Sequence, residues 1–375
     1  MTKEGKQTIP YANNGTRANL GGLSASSFFN GFSGTAAVFI AATMLSSAMG
    51  VERTFPGSVW ASKTPAEVAL DEKSIGQIAE TLGGRGCVVR HGYMVATWGS
   101  QSRKSDWMSS SKPVLSTLLF FAIQEGKPQS VDTQIRDYGW ELAPKDQTLS
   151  FHHLANMISG YARPEPPGEA WAYNDYAISL YHKTVFEKVF KGDPCNVAND
   201  PSRLGFLQFQ DGLSFSSKGR MVASVRDFAR ICWFWSNAGK WNDKQLLSRK
   251  FFDEYAKPQV PKNLPHTAKA ETNDYLKMGT YGGGSDHFTV YGPGIYGYNF
   301  WFNNTGRDHP DRRTWPDAPP DTFMTIGAGG NSSIIIPSLD MFVAAGGANW
   351  GNLEPGNPDA IMNKIAKLAV EASKQ

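Results

Sequence analysis

Cysteine is scarce. The 375 residues hold three, Cys87, Cys195 and Cys232, far apart and with no CxxC pair or Cys/His ligand spacing. That excludes a disulfide framework and a zinc motif, and leaves the three as small apolar residues. Charge of one sign is missing as well: 37 basic residues against 34 acidic ones leave a formal +3, with no Lys/Arg stripe along the chain. A phosphate backbone would find nothing to track, so nucleic acid is not an expected partner. There is no Gly-x-Ser-x-Gly elbow, no HExxH, no phosphate-binding glycine loop and no internal repeat. No metal, no organic cofactor and no obligate protein partner is implied.

What remains is ample for a core, with 41% hydrophobic and 12% aromatic residues. Near the start, Lys3, Lys6 and Arg17 precede a polar stretch and the apolar run Thr35 to Met49, which ends in the small residues Ser46-Ser47-Ala48. The run is shorter than the roughly 20 residues of a spanning helix and reads as an export leader over 1–50. A buried first helix or an uncleaved membrane anchor are the other accounts of it. The expectation is an exported protein, periplasmic or membrane-anchored facing the periplasm.

Residues 51–375 read as one catalytic domain of mixed helix and strand. An amphipathic helix is predicted over Asp71 to Leu82 and a hairpin over Gly86 to Gly99 with His91-Gly92 at its turn. From Met108 to Glu125 the pattern is a buried helix, with Pro113 inside its first turn and Gly126 past its end. Helical patterns follow at Ser150 to Ser159, Tyr176 to Phe190, Ser224 to Trp235 and Ser248 to Tyr255. Strands return at Gly297 to Phe302, Ser332 to Ile336 and Met341 to Ala345, before a helix from Pro358 to the end. The predicted class is α/β in the α+β sense: an antiparallel sheet flanked by helices, built from about 51–125 and 285–375, beside a mainly helical lobe over about 126–284.

Within this frame, Ser109 is the one serine followed three residues later by a lysine, Lys112. That spacing alone is weak, and a capping serine with a surface lysine is the plain account of it. Its place at the start of an apolar helix adds weight: the two side chains share a face, and the helix N-terminus offers amide donors to an oxyanion. A serine needs a base to become a nucleophile, and burial would help make Lys112 one. A second cluster is Pro167 to Asp175, PGEAWAYND, which follows the helix ending at Ser159-Gly160. A third is Thr325 to Asn331, TIGAGGN, running into a strand.

Together, Ser-x-x-Lys, the Pro-Gly-aromatic segment with its Tyr, and the glycine-rich strand resemble the β-lactamase-related serine hydrolases, which include class C β-lactamases, D,D-peptidases and esterases. The likeness runs from about Gly86 to Trp350. It implies that Ser109 is the acylated nucleophile, with Lys112 and Tyr173 handling its proton. The amides of Ser109 and Ala328 would form the oxyanion hole at an edge strand, and Trp171, Asn174, Asp175, Gly327 and Gly329 would meet the substrate. Apart from the resemblance, the aromatics of Gly297 to Trp301 with Trp171 and Tyr176 are candidates to line an acyl or alcohol pocket, core packing being the other account of them.

Two positions depart from the pattern. The last residue of Tyr-x-Asn is Asp175, with the amide one place earlier at Asn174, and an Asp beside Lys112 favours the ammonium and shifts base catalysis toward Tyr173. Thr325 stands where penicillin-directed relatives carry a cation for the substrate carboxylate, which points to esters or linear amides as the small-molecule substrate. The rival accounts are a non-catalytic cell-envelope binding protein and a true β-lactamase. His152-His153 reads as structural, and nothing in the sequence ties Asp286-His287 or His309 to Ser109 as a triad.

Overall fold

Near-continuous burial along the central strands and turn chemistry between them explain most of the sheet. In the computed structural model, which describes residues 52–268, 273–282 and 291–374, seven strands form one antiparallel sheet. They are β1 (Arg85–Arg90), β2 (Tyr93–Trp98), β3 (Tyr296–Gly297), β4 (Phe300–Phe302), β5 (Phe323–Gly327), β6 (Asn331–Ile336) and β7 (Met341–Gly346), in the order β2-β1-β7-β6-β5-β4-β3. The β1–β2 turn is His91-Gly92 with φ of +52° and +83°, the left-handed pair a tight hairpin turn demands. The expected single strand over Gly297 to Phe302 is instead the hairpin β3–β4. Tyr298 and Asn299 take positive φ at its turn, and buried hydrogen bonds hold both: Tyr298 N–H donates to Asn156 Oδ1 at 2.8 Å and Asn299 Nδ2 to Ala155 O at 3.0 Å.

Eight α-helices accompany the sheet among the described residues: α1 (Glu72–Leu82), α2 (Lys112–Gln124), α3 (Phe151–Ala155), α4 (Asp175–Lys183), α5 (Pro194–Ala198), α6 (Val225–Ser236), α7 (Arg249–Tyr255) and α8 (Ile361–Ala372). Side chains set several of their starts. Asp71 caps α1 through Ser74 N–H, Ser224 caps α6 through Asp227 N–H, and Ser150 and His153 form a capping box on α3. α1 packs with α8, and α6 lies against β1, β6 and β7. α2 is apolar all round, with every residue from Lys112 to Ala122 buried, which makes it the central helix of the fold. The helical pattern expected over Tyr176 to Phe190 continues past α4 as a π-helical stretch, Thr184–Phe190. The export leader falls outside the described residues, as do Asp286 and His287.

Candidate active site

The expected buried helix from Met108 begins as a 3₁₀ turn, Met108–Ser111, and becomes α-helical only at Lys112. A 3₁₀ turn eclipses residues three apart, and this brings Lys112 Nζ to 2.7 Å from Ser109 Oγ. The turn is tightly held. Met108, just before the serine, has φ +52°, a conformation costly for a side-chain-bearing residue, and Asp106 Oδ1 accepts its N–H at 2.7 Å. Ser110 Oγ donates to Asn331 O, and Ser111 Oγ accepts Met221 N–H at 3.0 Å, so the two serines that follow Ser109 serve as fasteners.

Lys112 is 1% exposed, and its ammonium meets three acceptors: Ser109 Oγ, Tyr173 OH at 3.0 Å and Asp175 Oδ1 at 2.9 Å. An ammonium has three protons to give, and all three have destinations. Burial pushes the Lys112 pKa down, but the Asp175 carboxylate and then Tyr173 outweigh it, leaving the amine above its ordinary value. Asp175 is the first residue of α4, where the helix dipole favours a carboxylate. Tyr173 is held between aromatics, stacked on Trp301 with centroids 6.1 Å apart and edge-on to Tyr296 at 6.3 Å.

The end of β5 lies directly against the nucleophile turn. A Cβ on Gly327 would sit 2.6 Å from Trp107 O and 2.9 Å from Ser110 N, so only glycine allows this approach. Ala328 follows in an exposed three-residue turn closed by the Gly327–Asn331 pair, with Gly329 and Gly330 at φ +71° and +72°. Two amides, of Ser109 and of Ala328, thus flank this junction. By sheet order β5 is an internal strand, not the expected edge, because β4 and β3 lie beyond it. Yet β4 pairs only Phe323 and Met324, so the half of β5 next to Ser109 keeps an open side.

Three expected substrate contacts are corrected. Asn174 is 1% exposed and spent on structure: its Oδ1 accepts the N–H groups of Tyr176 and Ala177, capping α4, and its Nδ2 donates to Tyr161 O at 2.6 Å. Trp171 is fully buried, edge-on to Tyr296 at 4.9 Å, and supports the aromatic layer from within. Gly327 is a packing glycine whose neighbours are backbone atoms of the turn. Thr325 is fully buried, with its hydroxyl 2.9 Å from that of Ser333, so no cation stands at that position.

Sequence reasoning missed a brace. Arg220 donates to Asp106 Oδ2 at 2.8 Å and to Tyr281 O at 2.7 Å, while Tyr281 N–H donates to Asp175 O at 3.1 Å. The Tyr281 ring lies 5.3 Å from Lys112 Nζ. No local pattern links residues 106, 220 and 281, and nothing sets Arg220 apart in a segment that also carries Asp211 and Lys218. The histidines go elsewhere: His152 bonds Tyr298 OH at 3.1 Å, His153 completes its capping box, and His309 Nδ1 accepts from Gly306 N–H within its own loop.

No protein-family model matches this chain, and no curated protein matches its sequence. Solved structures do match its shape. "Crystal structure of putative beta-lactamase from Bacteroides dorei DSM 17855" superposes with a TM-score of 0.59 at 12% identity, covering 82% of this chain and 100% of that one. "Putative 6-aminohexanoate-dimer hydrolase from Bacillus anthracis" gives 0.56 at 13% identity, covering 86% and 87%. EstCE1, a hydrolase with promiscuous acyltransferase activity, gives 0.54 at 13%, covering 80% and 98%. At such identities the likeness is one of fold: this chain has the fold shared by the β-lactamases, penicillin-binding proteins and related serine hydrolases.

Proposed function

We propose that the protein is a serine hydrolase that cleaves ester or linear amide bonds through an acyl-enzyme on Ser109. The observation that carries this reading is the single buried amine of Lys112 bridging Ser109 Oγ at 2.7 Å and Tyr173 OH at 3.0 Å. A helix cap and a surface lysine would need none of this burial.

In the reaction, the Tyr173 phenolate takes the Ser109 proton as Oγ attacks the carbonyl carbon. Lys112, kept as an ammonium by Asp175 and Tyr173, donates to the Tyr173 oxygen and orients it. The tetrahedral oxyanion accepts from the Ser109 and Ala328 amides, each worth about 3 kcal/mol if lost. Collapse expels the alcohol or amine, which takes the proton back from Tyr173. Water then repeats the sequence, breaking the acyl–serine bond and releasing the carboxylic acid.

The substrate class rests on Thr325, since a neutral, buried residue there gives no charge to a carboxylate beside the scissile bond. The fold neighbour named for a 6-aminohexanoate dimer and the one named for acyl transfer agree in kind with such substrates. Turnover of p-nitrophenyl acetate and butyrate, measured beside a chromogenic cephalosporin in wild type and Ser109→Ala, tests the reading. Ester turnover that falls at least about a thousandfold in the variant, with no cephalosporin opened, is expected. Undiminished ester turnover in the variant would remove Ser109 from its role, and faster opening of the cephalosporin would overturn the substrate class.

A further inference from the structure

A cavity of about 630 Å³ opens well away from Ser109, within the size range of small-molecule sites. It lies at the start of β5, where Phe323 faces it. Phe323 and Gly327 are four residues apart, so the nucleophile turn is about 13 Å off along the strand.

Its wall is aromatic and its rim is cationic. Trp235, Phe252, Phe300, Phe302 and Phe323 form the apolar side, and Phe300 stands edge-on to Trp235 at 4.9 Å. Strand alternation explains the grouping. Phe300 and Phe302 point one way from β4, Phe323 is paired with Phe302, and Trp301 points the other way onto Tyr173. Five cations, Arg53, Lys240, Arg249, Lys257 and Arg313, surround this wall, against one carboxylate, Asp321. Asp321 is already committed to Ser338, whose N–H and Oγ both donate to it. Arg53 is paired with Asp340 and Arg249 with Asp253. Lys240, Lys257 and Arg313 have no carboxylate partner among the described residues.

We propose that this cavity is a second binding site, for a small molecule with one anionic group on an apolar body, of which a medium-chain carboxylate is the type. The aromatic wall takes the hydrocarbon, and the unpaired cations of the rim take the carboxylate. Neither group alone would select it: an apolar wall is indifferent to the sign of the head group, and an exposed cation binds a lone anion weakly. The site stands whether or not Ser109 is a nucleophile.

Anilinonaphthalene sulfonate, an anionic aromatic whose fluorescence rises in apolar surroundings, serves as the probe on the full-length protein. It is titrated into wild type, into Ser109→Ala, and into a Lys257→Glu, Arg313→Glu double variant, then challenged with decanoate or decyltrimethylammonium. Both cations are exposed, so the double variant keeps the wild-type thermal midpoint. Saturable binding is expected, displaced by decanoate and not by the ammonium. It should be equal in Ser109→Ala and at least about tenfold weaker in the double variant, the equivalent of about 1.4 kcal/mol. Displacement by the ammonium as readily as by decanoate would overturn the proposal, as would loss of binding in Ser109→Ala or undiminished binding in the double variant.

Discussion

At the residue scale, the unusual feature is a carboxylate where a neutral amide would leave Lys112 less tightly held. Burial pushes the amine's pKa down, and Asp175 together with Tyr173 outweighs it and keeps the amine charged. Asp175→Asn removes that support, so burial dominates, the Lys112 pKa falls, and the remaining ammonium character is shared with Tyr173 alone. Because Lys112 works as an ammonium, the basic limb of the kcat/KM profile, where it loses its proton, is then expected to move to lower pH, as followed with p-nitrophenyl butyrate. An unmoved limb would mean that Asp175 does not set the protonation of the cluster. Tyr173→Phe keeps the stacking on Trp301 and loses only the phenol, so kcat should fall by about 10² to 10⁴ with the thermal midpoint nearly unchanged. Ser109, Lys112 and Tyr173 were legible because their chemistry sits in short motifs. Asp106, Arg220 and Tyr281 were not, because their association is made by three segments far apart in the chain meeting through backbone carbonyls and a single guanidinium.

At the scale of elements, two small features govern whether the cluster is assembled. The first is Gly327, whose missing Cβ lets β5 reach the nucleophile turn. Gly327→Ala places a methyl against backbone atoms that cannot rotate away, and should lower stability by about 1–3 kcal/mol and ester turnover at least about tenfold. Circular dichroism melts beside kinetics check this, and wild-type turnover in that variant would show that the approach is dispensable. The second is the cap on α4. Asn174→Ala strips the donors Tyr176 and Ala177 of their acceptor and leaves Tyr161 O without its partner, a cost of about 2–3 kcal/mol in a denaturant titration. A loss under about 0.5 kcal/mol would contradict the capping role. Helix starts were readable where a Ser or Asp cap precedes an apolar period, as at Asp71 and Ser224. The β3–β4 hairpin was not, since Tyr298-Asn299 lacks the glycine that signals a tight turn and is held by Asn156 and Ala155, about 140 residues earlier in the chain.

At the scale of the whole sheet, early and late parts of the described residues are joined: β1 lies between β2 and β7, and α1 rests on α8. The strands themselves announce their composition, but not this order, which depends on pairings some 250 residues apart. The same burial makes the fold acid-sensitive. His153 and His182 are held down to about 4, by burial first and by the neighbouring His152 and Lys183 second, against an ordinary value of 6.5. Between those values the unfolded chain binds protons that the folded one refuses, so the contribution of these two imidazoles to stability is full above pH 6.5, falls as pH drops toward 4, and levels off below. Each group contributes up to about 3 kcal/mol to that loss. Thermal midpoints read from pH 7.5 to 4 should decline across this window, and His182→Gln should flatten the decline; a constant midpoint would show that neither imidazole is held neutral.

The central claim is that Ser109 forms the acyl-enzyme, and covalent labelling addresses it without knowledge of the natural substrate. The folded protein and its Ser109→Ala variant are treated with a fluorophosphonate and weighed intact, and the modified peptide is sequenced. A single adduct on Ser109, absent from the variant, is the predicted result. No adduct on correctly folded protein, or an adduct that persists in the variant, would contradict the hydrolase reading and favour a protein that keeps this fold to bind without turnover.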